Sequence, residues 1–426
     1  MKTTELINFI EQNKADSELA RIYGEENLAM QRERYLGAVR EFLEIYGERE
    51  VSIFSVPGRS ELSGNHTDHN HGKVMAGSID LDIIAIASKT DDGVIRIKSQ
   101  GFPEDAIDIK TYKTPNETDF FKSGALIAGM SRAFENYGAT TGGYVAYTTS
   151  NVFKGSGLSS SAAFEVMVGN ILNYFYNDGK VDNVEIAKMA QYSENVFFGK
   201  PCGLMDQMAC AVGGFVYIDF KDTKNPIIEK IPFDLSGAGY ALCIVNTGGN
   251  HADLNDDYAS VPYEMKSVAK YFGKEYLRQL DKETVLANVE KLREVTGDRA
   301  ILRAIHFFNE NERVTTQADA LRGGDVKKFL DYVIKSGNSS FMYLQNVFTT
   351  KNVGEQGLSL ALAITDSVLS GKDCAYRVHG GGFAGTIQAF VKLELVEKYR
   401  KAIDSAFGQG ACHVLRIRPD GAIKVF

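Results

Sequence analysis

The sequence predicts an α+β protein with mixed, largely antiparallel sheets, divided into two domains. Two observations carry this expectation. Segments with the two-residue alternation of strands and segments with the 3.6-residue repeat of helices follow one another without regular strand–helix–strand alternation, which argues against a parallel α/β fold. The chain is also 426 residues long with 44% hydrophobic and 24% charged residues, an ordinary globular composition whose length suits two domains. No internal repeat or low-complexity linker marks the boundary. It is placed near 225–239, giving domains of 1–230 and 231–426.

Residues 1–50 read as helices, because Leu36, Val39, Leu43 and Tyr46 recur at helical spacing among charges. Alternation over 51–56 predicts a strand ending at Pro57-Gly58. Spans 81–87 and 94–98 read as strands, and Asp91-Asp92-Gly93 between them predicts a hairpin. Over 120–137, Leu126, Met130 and Phe134 line one face of a helix, and a short strand at 144–148 leads into a glycine–serine stretch. Two helices follow at 162–176 and 184–198, the second capped by Asp182 or Asn183. Strands are expected at 214–220 and 240–246, and 257–369 reads as mostly helical. The chain closes with strands at 375–378 and 387–392, a helix over 395–406, and strands at 412–417 and 422–425.

Charge and cysteine content exclude several classes of function. Fifty-five acidic residues against 47 basic ones give a net charge of -8, and no long basic run occurs, so neither nucleic acid nor an anionic membrane is an expected partner. The five cysteines, Cys202, Cys210, Cys243, Cys374 and Cys412, are scattered without Cys-x-x-Cys spacing. That argues for a reducing compartment and against a disulfide framework or a zinc ribbon. A polar N-terminus and the lack of any apolar run near the ~20 residues of a membrane span predict a cytoplasmic protein.

Four stretches carry chemistry. The first, VFKGSGLSSSAAFEV over 152–166, sets Gly155 and Gly157 before Ser159, Ser160 and Ser161 at the start of a helix. Free N–H groups and the positive helix end there suit a phosphate, and a serine hydroxyl can ligate Mg²⁺. A flexible connector with Ser159 as N-cap is the plainer reading. The second, PGRSELSGNHTDHNHG over 57–72, holds three of the seven histidines. It admits a Zn²⁺ site of His66, Asp68, His69 and His71, a plain polar loop, or a sugar site in which Asp68 accepts two hydroxyls and Arg59 supplies charge.

The third, ENVFFGKPCGLMDQM over 194–208, offers two carboxylates, Glu194 and Asp206. Phosphoryl transfer needs one carboxylate to orient or deprotonate a hydroxyl and another to hold Mg²⁺. Asp206 stands in or after a turn among Leu204, Met205 and Met208, where a carboxylate kept in apolar surroundings has a use. The fourth, RVHGGGFAG over 377–385, lets the backbone pass close to a ligand or simply makes a tight strand connection.

In order and spacing, these four stretches resemble the motifs of the galactokinase family of the GHMP small-molecule kinase superfamily, from about residue 40 to the C-terminus. The resemblance implies a two-domain GHMP kinase fold with its active site between domains, and ATP with Mg²⁺ as cofactors. It implies that Asp206 takes the proton of a sugar C1 hydroxyl while Arg59 stabilises charge. Ser161 and Glu194 become the Mg²⁺ ligands, and Gly155, Ser156, Gly157, Leu158, Ser159, Ser160 and Ser161 the phosphate loop. Asn65, His66, Asp68, Gly203 and Tyr258 become sugar contacts. The implied partners are a sugar and ATP, bound by a monomer or weak homodimer.

Departures from the family pattern bear on the substrate. Asn65 stands where a glutamate is usual, His69 where a tyrosine is, and Ser60-Glu61-Leu62-Ser63 replaces Val-Asn-Leu-Ile. Asn65 is expected to face the sugar's C6 side and to remove a negative charge there, which admits galactose or a C6-altered relative such as galacturonate. Phe153, where proline is frequent, reads as a packing change. A non-catalytic sugar sensor is the competing reading, and the intact Ser159-Ser160-Ser161 with Glu194 and Asp206 favours catalysis.

Overall fold

The structure, a computed structural model, describes residues 1–153, 157–249 and 254–426. Three helices open the chain, α1 (Thr3–Glu11), α2 (Asp16–Tyr23) and α3 (Leu28–Tyr46). Strands β1 (Ser52–Ser63), β2 (Lys73–Lys89), β3 (Val94–Ser99) and β4 (Glu104–Asp108) follow, then α4 (Ser123–Tyr137) and β5 (Tyr144–Ser150). Next come α5 (Ser160–Tyr176), α6 (Asn183–Tyr192), α7 (Met205–Val212), β6 (Phe215–Asp219) and β7 (Ile227–Ile231).

The second half begins with β8 (Tyr240–Asn246). It continues through α8 (Asn255–Tyr271), α9 (Lys282–Leu286), α10 (Val289–Val295), α11 (Asp298–Arg322), α12 (Val326–Ser339) and α13 (Gly357–Leu369). Strands β9 (Ala375–Val378) and β10 (Thr386–Lys392), helix α14 (Val396–Phe407), and strands β11 (Cys412–Leu415) and β12 (Ile423–Lys424) complete it.

The first sheet runs β12-β1-β2-β5-β3-β4, with β6 and β7 added along the first part of β2. Its pairings are antiparallel except β3 with β5. Strict alternation divides its side chains between two faces. Ile53, Ile84, Ile86, Val145 and Tyr147 pack against α1–α3, while Phe54, Ala85, Ala87 and Ala146 pack against α4–α6. The second sheet, β11-β8-β10-β9, is likewise covered twice. Leu242 and Ile244 meet α11 and α12, and Cys243 and Val245 meet α13 and α14. Leu62, Met75 and Phe215 of the first sheet share a core with Leu242 and Ile244 of the second.

Several boundaries differ from the sequence reading. β1 does not stop at Pro57-Gly58 but passes through a bulge between Pro57 and Arg59, because β2 continues to pair with it as far as Met75. The Asp91-Asp92-Gly93 turn does not close a hairpin: β5 is inserted between β2 and β3, so the alternation was right and the partner wrong. Asp206, expected in or after a turn, follows the Gly199–Gly203 turn in the first turn of α7. Among the described residues no helix is long and apolar enough to cross a membrane.

Candidate active site

The bulge in β1 aims Arg59 at the start of α5. Gly58 allows this, because a Cβ on it would stand 2.8 Å from the Leu158 carbonyl oxygen, and the Arg59 N–H donates to that same oxygen at 3.1 Å. The buried Arg59 guanidinium is bidentate on Asp206, Nε to Oδ1 at 2.8 Å and Nη2 to Oδ2 at 2.6 Å, and Nη1 donates to the Gly157 carbonyl. Gly157 and Ser159 both take the left-handed conformation, φ 71° and 62°, and the Ser159 hydroxyl donates to Asp206 Oδ2. Strand, loop and helix α7 thus meet at one carboxylate. Burial alone would raise the Asp206 pKa, but Arg59 and Ser159 outweigh it and hold the group below the ordinary carboxylate range. Gly155 and Ser156 lie outside the described residues.

Beside this pair, Ser161 and Glu194 stand with Oγ and Oε1 3.5 Å apart. Glu194 sits in a π-helical turn, Ser193–Phe197, continuing α6, and is nearly fully buried. Lys200 pairs with its Oε1 at 2.8 Å and the Gln207 amide donates to its Oε2 at 2.7 Å. Gln207 also reaches Glu165 at 3.3 Å, a fully buried carboxyl whose pKa burial and the nearby Glu194 push well up. A hydroxyl and a carboxylate are the hard oxygen donors Mg²⁺ takes, with phosphate oxygens and water completing the shell, so the donor set fits. Lys200, Gln207 and Glu165 were not singled out in the sequence; each reads there as an ordinary helix or loop residue.

The sugar motif folds into a network rather than a metal site. His69 donates from Nδ1 to Asp68 at 3.0 Å, and its Nε2 lies 3.2 Å from His66 Nδ1, so His69 is a double donor. Burial opposes its charge, but Asp68 prevails and raises its pKa. His66 accepts there and donates from Nε2 to the Gly381 carbonyl at 2.8 Å; burial lowers it to about 3. His71 turns elsewhere and stacks on Tyr276, centroids 3.7 Å apart. Among the described residues no group of three or more His, Cys, Asp or Glu side chains could hold a metal ion. Asp68 Oδ2 approaches Gly203, where a Cβ would be 3.1 Å away, and Tyr258 donates to the Gly382 carbonyl at 2.9 Å.

Asn65, expected on the sugar's C6 side, has its amide engaged within the protein. It is fully buried: Nδ2 donates to Glu61 at 3.1 Å and to the Gly380 carbonyl at 2.7 Å, while Oδ1 accepts from Asn346 at 2.8 Å and Ser340 at 3.2 Å. Glu61 in turn pairs with buried Arg377 at 2.9 Å. In the usual Val-Asn-Leu-Ile-Gly-Glu the amide comes first and the carboxylate four residues later; here the two have exchanged positions and bond to each other. The negative charge is therefore displaced, not lost. His379 binds Ser60 and Thr386 at 3.1 and 2.8 Å and lies close to Gly157, which brings the third glycine stretch beside the loop.

Two cavities reach residues next to this site in the chain. One, about 340 Å³, is bordered by Asp68, Gly203 and Leu204. The other, about 500 Å³, is lined by Ser160 and Ser161 and by Leu126, Phe102, Phe121, Phe164 and Phe198. No residue of its apolar wall was assigned to a site from sequence, where Phe102 reads as an ordinary loop residue and Phe121 as part of a helix; their exposure shows only in the fold.

A carboxylate gripped by an arginine beneath a serine-rich helix start, with an oxygen-only donor pair alongside, defines a small-molecule kinase of the GHMP class. Residues 125–214 match the GHMP kinases N terminal domain and residues 40–89 the galactokinase galactose-binding signature. A galactokinase of Streptomyces coelicolor is 30% identical over 393 residues, covering 90% of this chain and 96% of that protein. One of Clostridium tetani is 28% identical over 373 residues, covering 87% and 91%.

Among solved structures, Lactococcus lactis galactokinase complexed with galactose superposes with a TM-score of 0.74 at 24% identity, covering 90% of this chain and 98% of that one. Methanococcus jannaschii mevalonate kinase superposes with a TM-score of 0.60 at 15% identity, covering 86% and 98%. The chain belongs to the galactokinase family, and it is a sugar-kinase phosphotransferase.

Proposed function

We propose that this chain transfers the γ-phosphoryl group of ATP to the anomeric hydroxyl of galactose or another galacto-configured sugar. The observation that carries the proposal is the convergence of Arg59, Ser159 and the start of α5 on Asp206, with a cavity beside Leu204 and another lined by Ser160 and Ser161. The sugar hydroxyl sits against the Asp206 carboxylate, which is ionised before the transfer and accepts a hydrogen bond from it. As the bond from that oxygen to the γ-phosphorus forms, the bridging P–O bond breaks and ADP leaves. The proton passes to Asp206 and then to solvent.

Arg59 keeps its charge and offsets the charge gathering at the phosphorus. The N–H groups of Ser160 and Ser161, with the positive end of α5, hold phosphate oxygens. Ser161 and Glu194 would hold Mg²⁺, which when bound neutralises phosphate charge and aligns the leaving group. Lys200 must then yield its place on Glu194 or pass its charge to a phosphate. The phenylalanine-lined cavity next to Ser160 would take the adenine. Asn65, His66 and Tyr258 support the sugar pocket through the glycines at 380–382, and Asp68 and Gly203 line it.

We place the sugar and ATP at the junction of two domains, 1–230 and 231–426, in a cytoplasmic monomer or weak homodimer. The five free thiols support the reducing compartment. The test is ADP release with ATP and Mg²⁺ over a panel of hexoses and hexuronates. Sugar-dependent ADP with a sugar 1-phosphate product supports the proposal; sugar binding without ADP from any member contradicts it.

A further inference from the structure

Glu194 is held from two sides. The Gln207 amide donates to its Oε2 at 2.7 Å, and the Lys200 ammonium pairs with its Oε1 at 2.8 Å. Oε1 is also the atom 3.5 Å from Ser161 Oγ, so the lysine stands on the oxygen that faces the other proposed Mg²⁺ ligand. The backbone around Lys200 is pinned: its N–H donates to the Glu194 carbonyl at 3.1 Å, and the Cys202 N–H donates to Asn195 Oδ1 at 2.7 Å. Gly199 turns the chain just before it, with φ 76° and no room for a Cβ against the Phe120 ring. The half-exposed Lys200 side chain is therefore the part that can move.

The charges here are paired. Arg59 is bidentate on Asp206, and Lys200 makes one bond to Glu194. Burial opposes the Lys200 charge, but Glu194 outweighs it, with Asp206 adding to the effect, and the pKa is raised. A divalent ion and an ammonium cannot both keep Glu194 Oε1, because like charges so close repel strongly where the carboxylate is shut off from water. With its backbone fixed, Lys200 carries its charge only as far as its four-carbon stem reaches, which keeps it near Ser161 and the start of α5. A triphosphate bound there keeps oxygens that the metal does not take, and these accept a charge-assisted hydrogen bond from an ammonium.

We propose that Lys200 is a phosphate-contacting residue, whose ammonium leaves Glu194 Oε1 for a non-bridging oxygen of the ATP triphosphate when the metal–nucleotide complex binds. This rests on the kinase reading above and adds to it a second cation, beside Arg59, at the transferring group. The change of partner keeps the ammonium on an anion throughout, and it hands the carboxylate to the metal only when a triphosphate is present to receive the lysine. A lysine that merely braced Glu194 would favour metal and nucleotide alike. One that changes partner competes with the metal ion alone and assists the metal–nucleotide complex.

The experiment uses the parent, Lys200→Met and Lys200→Arg proteins and takes two readings. The Kd for Mn²⁺ alone, a spectroscopic substitute for Mg²⁺ at oxygen ligands, is measured by electron paramagnetic resonance, and kcat/KM for ATP is measured at saturating Mg²⁺ and sugar. The two should move in opposite directions in Lys200→Met: Mn²⁺ binds at least about threefold more tightly, while kcat/KM for ATP falls at least about tenfold. Lys200→Arg should keep most of the parent's kcat/KM. The Lys200 side chain is half exposed, so both variants should fold. Mn²⁺ affinity unchanged or weakened in Lys200→Met, or an unchanged kcat/KM for ATP, would overturn the role given to Lys200 and leave the kinase reading standing. No ADP from any sugar with the parent protein would overturn both.

Discussion

The exchange of Glu61 and Asn65 makes a quantitative prediction. Glu61→Asn strips fully buried Arg377 of its 2.9 Å carboxylate, leaving it, among the described residues, the Val378 and Leu62 carbonyls and Glu310 at 3.9 Å. Breaking a buried pair this way costs about 3–5 kcal/mol. Asn65→Glu removes the donors to Glu61 and the Gly380 carbonyl and sets two carboxylates within hydrogen-bonding reach in a dry site. Lost bonds and an unpaired buried charge put that at about 3 kcal/mol or more.

The double variant restores one amide and one carboxylate in the opposite order. It should therefore be less destabilised than the sum of the single changes by at least about 2 kcal/mol. The chain has no tryptophan, so urea unfolding is followed by far-ultraviolet circular dichroism, with sugar preference measured alongside. Additive effects, or an Asn65→Glu protein as stable as the parent with an altered sugar preference, would refute this reasoning and return Asn65 to the sugar.

Two further predictions concern the loop and pH. Gly58→Ala drives a methyl against the Leu158 carbonyl at 2.8 Å, so the loop must shift; KM for ATP should rise about tenfold, and an unchanged value would mean that the strand does not position the loop. His306 donates to the Asn65 carbonyl and accepts from Ser339, and burial lowers its pKa to about 4; burial lowers His66 and His379 to about 3. Between pH 6.5 and 4 the unfolded chain binds more protons at these sites, so stability falls with pH by up to about 1.4 kcal/mol per unit for each histidine, opposed by His69, whose pKa is raised. The urea midpoint should drop from pH 7 to pH 5 and drop less in His306→Gln; a flat profile would contradict the neutral assignment.

Much of the fold was legible because alternation and helical repeats are local. The strands at 240–246 and 375–378 emerge with the expected bounds, whereas the hairpin at 91–93 failed because sheet order is set by packing between distant segments. The motifs led to Asp206, Arg59, Ser159, Ser161 and Glu194, and the structure brings these together. What the sequence hid was which atoms the polar residues spend on each other. Asn65 and Glu61 look like two separate departures until their 3.1 Å hydrogen bond is seen. Gln207, which links Glu165 to Glu194, carries no signal in a helix.

The most direct measurement is of Asp206→Asn, with kcat from ADP release and the sugar Kd from calorimetry. An acceptor for the hydroxyl proton contributes about 10²–10⁴-fold to the chemical step, so kcat should fall by that factor while the Kd moves less than about tenfold. A kcat near that of the parent, or a loss confined to sugar binding, would mean that Arg59 and Ser159 converge on a structural carboxylate and that phosphoryl transfer is centred elsewhere.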